Sequence, residues 1–178
     1  MTRAPFCVSR SAQLPSARCI MAGDGSLRAP LEALIARIGS ERTRLVGARH
    51  TQDLQQIVAS ADVFVSSSTV AETFGLAPLE AAAAGVPVVA FARGGMGEFL
   101  CDGANALIPS APTPRALAAA MVGVLSNATR ATAMGATASR VATRFSQAAT
   151  SERYAELYQR TYAAMVRRRI ANAPKRGA

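Results

Sequence analysis

The sequence predicts an α/β fold, a doubly wound, Rossmann-like parallel sheet with a helical C-terminal extension. Short apolar runs alternate with helix-like segments from Arg18 to Ile108. The runs are almost continuously apolar, which is typical of parallel strands that are buried on both faces. After Pro114 the pattern becomes wholly helical. A chain of 178 residues is long enough for one ordinary domain with a sizeable core.

Each predicted strand ends at a glycine or a polar turn, and each predicted helix carries apolar residues at helical spacing. Gly23 closes the first strand, Gly39 stops the first helix, and Gly85 ends the helix that contains Glu80. The predicted strands are 19–22, 44–46, 63–65, 86–90 and 106–108. The predicted helices are 27–38, 54–58, 78–84, 117–125, 129–144 and 154–166. We therefore expect a segment 1–17, a core 18–112, helices 113–170 that pack on the core, and a basic disordered tail 171–178.

Charge is concentrated at the end of the chain. Residues 1–102 hold nine arginines and nine acidic residues, whereas residues 103–178 hold eleven basic residues and only two acidic ones. A basic C-terminal end suits an anionic membrane surface or a nucleic acid, although a solvated tail is the plainer interpretation. Only this charge supports binding to a nucleic acid. The tyrosines at 154, 158 and 162 predict one face of a packed helix and not a base-stacking platform. The basic residues at this end are Arg167, Arg168, Arg169, Lys175 and Arg176.

Cysteine usage and hydropathy exclude several classes of protein. Three widely spaced cysteines and a single histidine, His50, indicate neither a disulfide framework nor a zinc site. No apolar run approaches the length of a membrane span, and the first residues lack the apolar core of a secretory signal. We therefore expect a cytoplasmic protein. Peripheral contact with the inner face of a membrane is compatible with that location.

The segment between the third and fourth strands predicts a ligand site. Pro78 marks a helix start, where the free N–H groups of Gly75, Leu76 and Ala77 suit a phosphate beyond the carboxyl end of the sheet. Glu72 and Glu80 flank this point and would repel an anion, so they are better suited to accept hydrogen bonds from sugar hydroxyls. The alternative is structural: Glu80 stabilises the first helical turn and Glu72 is a solvated loop residue.

Glu72 and Glu80 have the spacing of a Glu-x7-Glu motif, and further short segments match the same family in order. The sequence thereby resembles the donor-binding C-terminal domain of retaining GT-B glycosyltransferases, the glycosyltransferase family 4 or group 1 type. The resemblance covers residues 15–165 approximately. The matching segments are 21–25, 45–47, 61–65, 79–81, 85–90, 94–95, 98, 102–103 and 145–146.

The resemblance implies a role for each motif residue. Glu72 is the catalytic candidate and would contact hydroxyls of the transferred hexose, beside Thr73 and the backbone of Phe74, Gly75 and Leu76. Glu80 would hold the ribose hydroxyls of a nucleotide-diphosphate sugar. Gly23, Ala48 and Arg49 would lie against the nucleotide. No metal or other cofactor is implied. The acceptor is unknown, and the Glu-Thr-Phe-Gly variant is similar to that of enzymes that glycosylate lipids, so a lipid or glycan is expected.

The sequence departs from the family pattern at its beginning. Members open this domain with a central strand followed by an arginine and a lysine that clamp the diphosphate, whereas the only lysine here is Lys175. We also expect this chain to lack the N-terminal acceptor domain that family members have. We expect residues 5–10 to substitute for the central strand and the chain to be incomplete as a catalyst alone. The alternatives are a non-catalytic sugar-nucleotide-binding remnant and a subunit that completes a partner's active site.

Overall fold

The structure is a computed structural model that describes residues 16–39 and 41–171. The substitute strand expected at 5–10 and the tail from residue 172 lie outside the described residues. The first compact unit of the chain ends at Ala142 and the second begins at Thr143. The predicted domain boundaries remain predictions.

The first sheet has two parallel strands. Strand β1 (Cys19–Ala22) pairs with β2 (Thr43–Gly47), and α1 (Arg28–Arg37) connects them. Ala22 lies opposite Gly47, so the turns that follow the two strands begin side by side. Helix α2 (Thr51–Ala59) leads from this sheet to the next.

The second sheet has three parallel strands in the order β3, β4, β5. Its strands are β3 (Phe64–Ser66), β4 (Val88–Ala90) and β5 (Ala106–Leu107). Helix α3 (Leu76–Ala83) connects β3 to β4, and a short 3₁₀ turn, Gly95–Glu98, follows β4. Val65 pairs with Val89, and Val89 pairs with Leu107. The carboxyl ends of β3 and β4 therefore lie together, and the loops that follow them form one edge.

Three helices complete the described chain. They are α4 (Pro114–Leu125), α5 (Ala128–Ala142) and α6 (Gln147–Ala171). Capping explains where the first two begin, because Thr113 Oγ1 accepts the Ala116 N–H at 3.2 Å and Asn127 Oδ1 accepts the Arg130 N–H at 2.9 Å. None of the helices in the described ranges is long and apolar enough to cross a membrane.

The core lies on the second sheet. Val89 and Phe91 pack with Leu117 and Val124 of α4, and all four are buried. Helix α5 lies so close to the end of α3 that a side chain at Gly135 would overlap the carbonyl oxygen of Gly85. Among the described residues from 16 to 80, Met21 is the only Val, Leu, Ile, Met or Phe that is buried.

The predicted fold class is confirmed, since parallel strands alternate with helices and helices follow the last strand. Within residues 16–39 and 41–171 no pairing joins β1 to β3, so the described strands form two sheets. One detail differs. The tyrosines of α6 were expected on a packed face, but Tyr154, Tyr158 and Tyr162 are 58–71% exposed.

Candidate functional site

The site is built around the start of α3. Gly75 precedes the helix with φ of 88° and is buried, a left-handed conformation that glycine adopts without a steric cost. The helix begins at Leu76, two residues before the predicted start, so Pro78 occupies the third position. Proline has no N–H, and it fits there because the N–H groups of the first helical turn have no intrahelical carbonyl to which they could donate. The N–H groups of Leu76 and Ala77 are therefore at the open end of the helix.

The loop that carries Glu72 is attached to the loop after β4. Glu72 and Gly94 form an isolated parallel bridge, in which the Glu72 N–H donates to the Arg93 carbonyl at 3.4 Å. The Gly95 N–H donates in turn to the Glu72 carbonyl at 2.9 Å. The backbone of Glu72 is thus held on both its donor and its acceptor side, although it lies in a loop.

Two glycines make this approach possible. A Cβ atom at Gly94 would overlap the Glu72 carbonyl oxygen, and one at Gly95 would overlap the Thr73 carbonyl oxygen. Both obstacles are backbone atoms, which cannot rotate away as a side chain does. The Gly94–Gly95 pair, noted in the sequence only as part of the family match, is therefore the structural partner of the Glu72 loop.

The 3₁₀ turn and the residue that follows it pack against this loop. A Cβ atom at Gly75 would lie 2.5 Å from the Cγ of Met96, whose side chain is fully buried, and 3.7 Å from the Oε2 of Glu72. The rings of Phe74 and Phe99 contact each other with centroids 5.3 Å apart. These contacts place the Glu72 carboxylate beside the start of α3.

Glu80 lies one turn into α3, four residues after Leu76. Residues four apart share one face of a helix, and both side chains are exposed, Leu76 by 67%. The first turn of α3 contains no acidic residue. The alternative that Glu80 stabilises the first helical turn is therefore wrong, because the helix starts earlier than predicted and Glu80 lies in its second turn.

The residues predicted to hold the nucleotide meet at the ends of β1 and β2. The Gly23 N–H donates to the Gly47 carbonyl at 2.9 Å, and Ala48 and Arg49 follow as exposed residues. Gly47 has φ of 73°, and a Cβ atom there would lie 3.3 Å from Nη1 of Arg28. The structure therefore brings the predicted residues together in two groups: Gly23 with Ala48 and Arg49, and Glu72 to Leu76 with Glu80.

An exposed ion-pair network borders the first group. Arg28 contacts Asp24 at 3.5 Å and Glu32 at 2.9 Å, each from one side of its guanidinium. Asp24 Oδ1 also accepts the Gly25 N–H at 2.8 Å. The turn after β1 is thereby connected to the first turns of α1.

Asn105 is a structural residue that sequence reasoning missed. It is 1% exposed, its Nδ2 donates to the Phe99 carbonyl at 2.7 Å, and its Oδ1 accepts the Cys101 N–H at 2.7 Å. Asp102 Oδ1 accepts the Ile108 N–H at 2.8 Å. The available signal was the Asp-Gly-Ala-Asn run, because Asp and Asn side chains hydrogen-bond to nearby backbone in turns.

Three other reactive side chains belong to the described residues: His50, Cys19 and Cys101. His50 is an exposed residue immediately before α2. Burial raises the pKa of the Cys19 thiol above its ordinary value, whereas Cys101 is exposed. Within the described parts of the chain, no three His, Cys, Asp or Glu side chains are arranged to hold a metal ion.

Comparison with known proteins gives the family. Residues 7–141 match the family model for glycosyl transferases group 1. The D-inositol 3-phosphate glycosyltransferase of Corynebacterium urealyticum is 35% identical over 130 residues, which cover 72% of this chain and 30% of that protein.

Two solved structures share the fold and some sequence. The sucrose-phosphate synthase of Thermosynechococcus elongatus is 26% identical with a TM-score of 0.75, over 86% of this chain and 40% of that one. Anabaena HepE, solved with UDP and glucose, is 26% identical with a TM-score of 0.71, over 82% of this chain and 41% of that one. The chain thus spans less than half of each of these three proteins. It belongs to the group 1 glycosyl transferases and has the fold of a GT-B glycosyltransferase domain.

Proposed function

We propose that this chain is the donor-binding half of a retaining GT-B glycosyltransferase, which binds a nucleotide-diphosphate sugar for transfer of its hexosyl group. The observation that carries the proposal is the attachment of the Glu72 loop to Gly94 and Gly95, with the carboxylate beside the start of α3. Membership of the family and the UDP and glucose in the HepE structure support it.

The sugar and the diphosphate would bind at the start of α3. Glu72 would accept hydrogen bonds from hexose hydroxyls, with Thr73 beside it. The Leu76 and Ala77 N–H groups, at the positive end of the helix dipole, suit the diphosphate oxygens. The Phe74 and Gly75 backbone can approach the ligand closely because Gly75 presents no side chain.

The nucleotide would extend from α3 towards the end of the first sheet. Glu80 suits the two ribose hydroxyls, since an exposed carboxylate accepts two hydrogen bonds at once. The exposed Leu76 on the same face offers apolar contact. Gly23, Ala48 and Arg49 suit the base, since backbone groups are accessible at the glycine and in the turn after β2.

In the proposed reaction the bond between the anomeric carbon and the diphosphate oxygen breaks, and the oxygen of an acceptor hydroxyl bonds to the same carbon with retained configuration. The proton of that hydroxyl passes to the departing diphosphate. The departing diphosphate gains negative charge. N–H groups at the start of α3 are already oriented towards that charge and need no rearrangement, which is the usual way in which such sites lower a barrier. Glu72 orients the sugar through its hydroxyls.

A second candidate is a binding subunit without its own turnover. It is favoured by the single lysine of these 178 residues, Lys175, which lies far from the segment where the family places the lysine of the diphosphate clamp. In that case an acceptor-domain partner would complete the cleft. Turnover by the isolated chain distinguishes the two candidates: it supports the first, while donor binding without turnover supports the second.

The proposal extends to partners and location. A lipid or a glycan is the proposed acceptor, and a basic C-terminal segment suits peripheral contact with an anionic membrane. Nucleic acid is not proposed as a ligand. We also propose a cytoplasmic place of action, because an odd number of widely spaced cysteines does not suggest a disulfide framework.

Thermal unfolding with UDP-, GDP- and ADP-sugars tests donor binding. A ligand at one hundred times its Kd stabilises the folded chain by about 2.7 kcal/mol. For a domain of this size that raises Tm by roughly 5–10 °C. We expect one nucleotide to produce the shift and Glu80→Ala to abolish it.

Glu152→Ala is the matched control, because it removes an exposed helical glutamate from α6 and leaves the site intact. It should retain the full shift. If no donor shifts the Tm of a cooperatively folded chain, the proposed donor site is refuted. If Glu80→Ala keeps the shift, the chain binds a donor but the assignment of Glu80 is wrong.

A further inference from the structure

Helix α6 carries an apolar stripe that the described chain leaves exposed. The helix has 25 residues, and five large side chains on it are 55–71% exposed. We call these five residues the α6 stripe. They are Tyr154, Leu157, Tyr158, Tyr162 and Met165. The stripe is independent of the donor site, and contiguous exposed apolar surface of this kind marks an interaction site.

The spacing of the stripe suits a flat surface. Tyr154 and Met165 are eleven residues apart, which is close to three full turns at 3.6 residues per turn, so the stripe runs straight along the helix. The rings of Tyr154 and Tyr158 lie 6.5 Å apart on this line.

The charges of α6 are arranged around the stripe. Arg153 and Arg160 are neighbours of Leu157, four residues before it and three after it, and Arg168 follows Met165 by three. Glu156 is two residues from both Tyr154 and Tyr158, about 200° around the helix, and therefore lies on the opposite side. Arg153 and Arg160 lie between the stripe and Glu156, three residues before and four after that glutamate, and residues 147–171 hold five arginines against two glutamates.

We propose that α6 lies along the surface of a membrane that contains anionic lipids, with the α6 stripe in the interface. Tyrosine rings are enriched at that depth because one end of the ring is apolar and the other is polar. The arginine stems cover apolar surface while their guanidinium groups reach the anionic headgroups. A straight line of apolar side chains and an excess of arginine over glutamate suit a helix that lies at an anionic interface.

Co-sedimentation of the full chain with vesicles tests the proposal. We expect binding to phosphatidylcholine vesicles that contain about a third phosphatidylglycerol, and at least tenfold weaker binding to phosphatidylcholine alone. Replacing Leu157 and Met165 with glutamine should weaken binding by about tenfold or more. The variant loses the free energy that the two apolar side chains gain when they move from water into the membrane interface. Circular dichroism of this variant confirms that α6 remains helical.

A charge-matched pair separates this surface from general attraction of a protein with a net charge of +9. Arg153→Gln with Arg160→Gln should lower the affinity about 25-fold, a factor of about five for each arginine. Arg115→Gln with Arg130→Gln makes the same change in net charge on α4 and α5, where both side chains are exposed, and should have a smaller effect.

Three results would overturn the proposal. The first is an equal loss from both arginine pairs, and the second is equal binding to neutral and anionic vesicles. The third is absence of vesicle binding, including the case in which sedimentation velocity shows a dimer that the Leu157 and Met165 substitutions dissociate. That last outcome would assign the α6 stripe to a second copy of the chain.

Discussion

Gly95 allows the turn after β4 to lie directly against the loop that carries Glu72. A Cβ atom at Gly95 would overlap the Thr73 carbonyl oxygen and would lie 2.8 Å from the Thr73 carbonyl carbon and 2.9 Å from the Phe74 Cα. No side-chain rotation can relieve these contacts. We therefore expect Gly95→Ala to force the two backbones apart and to displace Glu72.

The cost follows from the distances. Carbon atoms in contact are normally separated by about 3.5 Å or more, so the two carbon contacts alone require the backbones to separate by roughly 0.6 Å, and the overlap with the Thr73 carbonyl oxygen requires more. The Gly95 N–H to Glu72 carbonyl bond, now 2.9 Å, then reaches the limit of a hydrogen bond. Overpacking costs about 1–3 kcal/mol and the lost bond about 0.5–1.5 kcal/mol, so the free energy of unfolding should fall by about 1.5–4.5 kcal/mol. Tm should fall by about 3–18 °C.

Gly97 provides the control within the same 3₁₀ turn. A Cβ atom there meets nothing within 4 Å, so Gly97→Ala should change the free energy of unfolding by less than about 0.5 kcal/mol. Thermal unfolding of both variants by circular dichroism makes the comparison. If Gly95→Ala unfolds at the wild-type temperature, or if Gly97→Ala is equally destabilised, the backbone contact does not constrain the Glu72 loop as argued.

Three further predictions concern other features of the structure. Asn105→Ala should lower the free energy of unfolding by about 2–4 kcal/mol in urea, because it leaves the buried Phe99 carbonyl and the Cys101 N–H without their side-chain partner; a loss below 1 kcal/mol would contradict this. Iodoacetamide at pH 8 should alkylate Cys101 faster than Cys19, since burial raises the pKa of the Cys19 thiol and leaves less thiolate, and peptide mass spectrometry measures both rates; equal rates would argue against it. Arg28→Gln should cost at most about 1 kcal/mol, because both of its ion pairs are exposed, and a larger loss in thermal unfolding would show that the pairs do more than surface pairs usually do.

Local patterns were sufficient to predict most elements. The run from Cys19 to Ala22 was predicted as a strand with the same bounds that the structure gives β1, because an apolar run followed by Gly23 has few other interpretations. The family match rested on short segments in a fixed order, and the family model confirms it over residues 7–141.

Contacts between distant segments could not be predicted in the same way. Nothing near Gly95 indicates that its neighbour is Thr73, twenty-two residues earlier, because that contact depends on the pairing of β3 with β4. The start of α3 was placed at Pro78 because proline favours the first helical position, but the third position also lacks an intrahelical acceptor. The helical spacing of the α6 tyrosines predicted that they share one face of the helix. It could not predict that this face is exposed.

Buried apolar side chains are unevenly distributed along the chain, and this determines which strands unfold locally first. Almost all buried apolar side chains lie beyond residue 80, and β1 and β2 contribute only Met21 to the buried set among the described residues. Local unfolding costs least where few apolar contacts must be broken. Amide hydrogens of β1 and β2 should therefore exchange with solvent sooner than those of β4. In this domain the residues proposed for the base belong to the region that opens first, and those proposed for the sugar and diphosphate rest on the part that opens last.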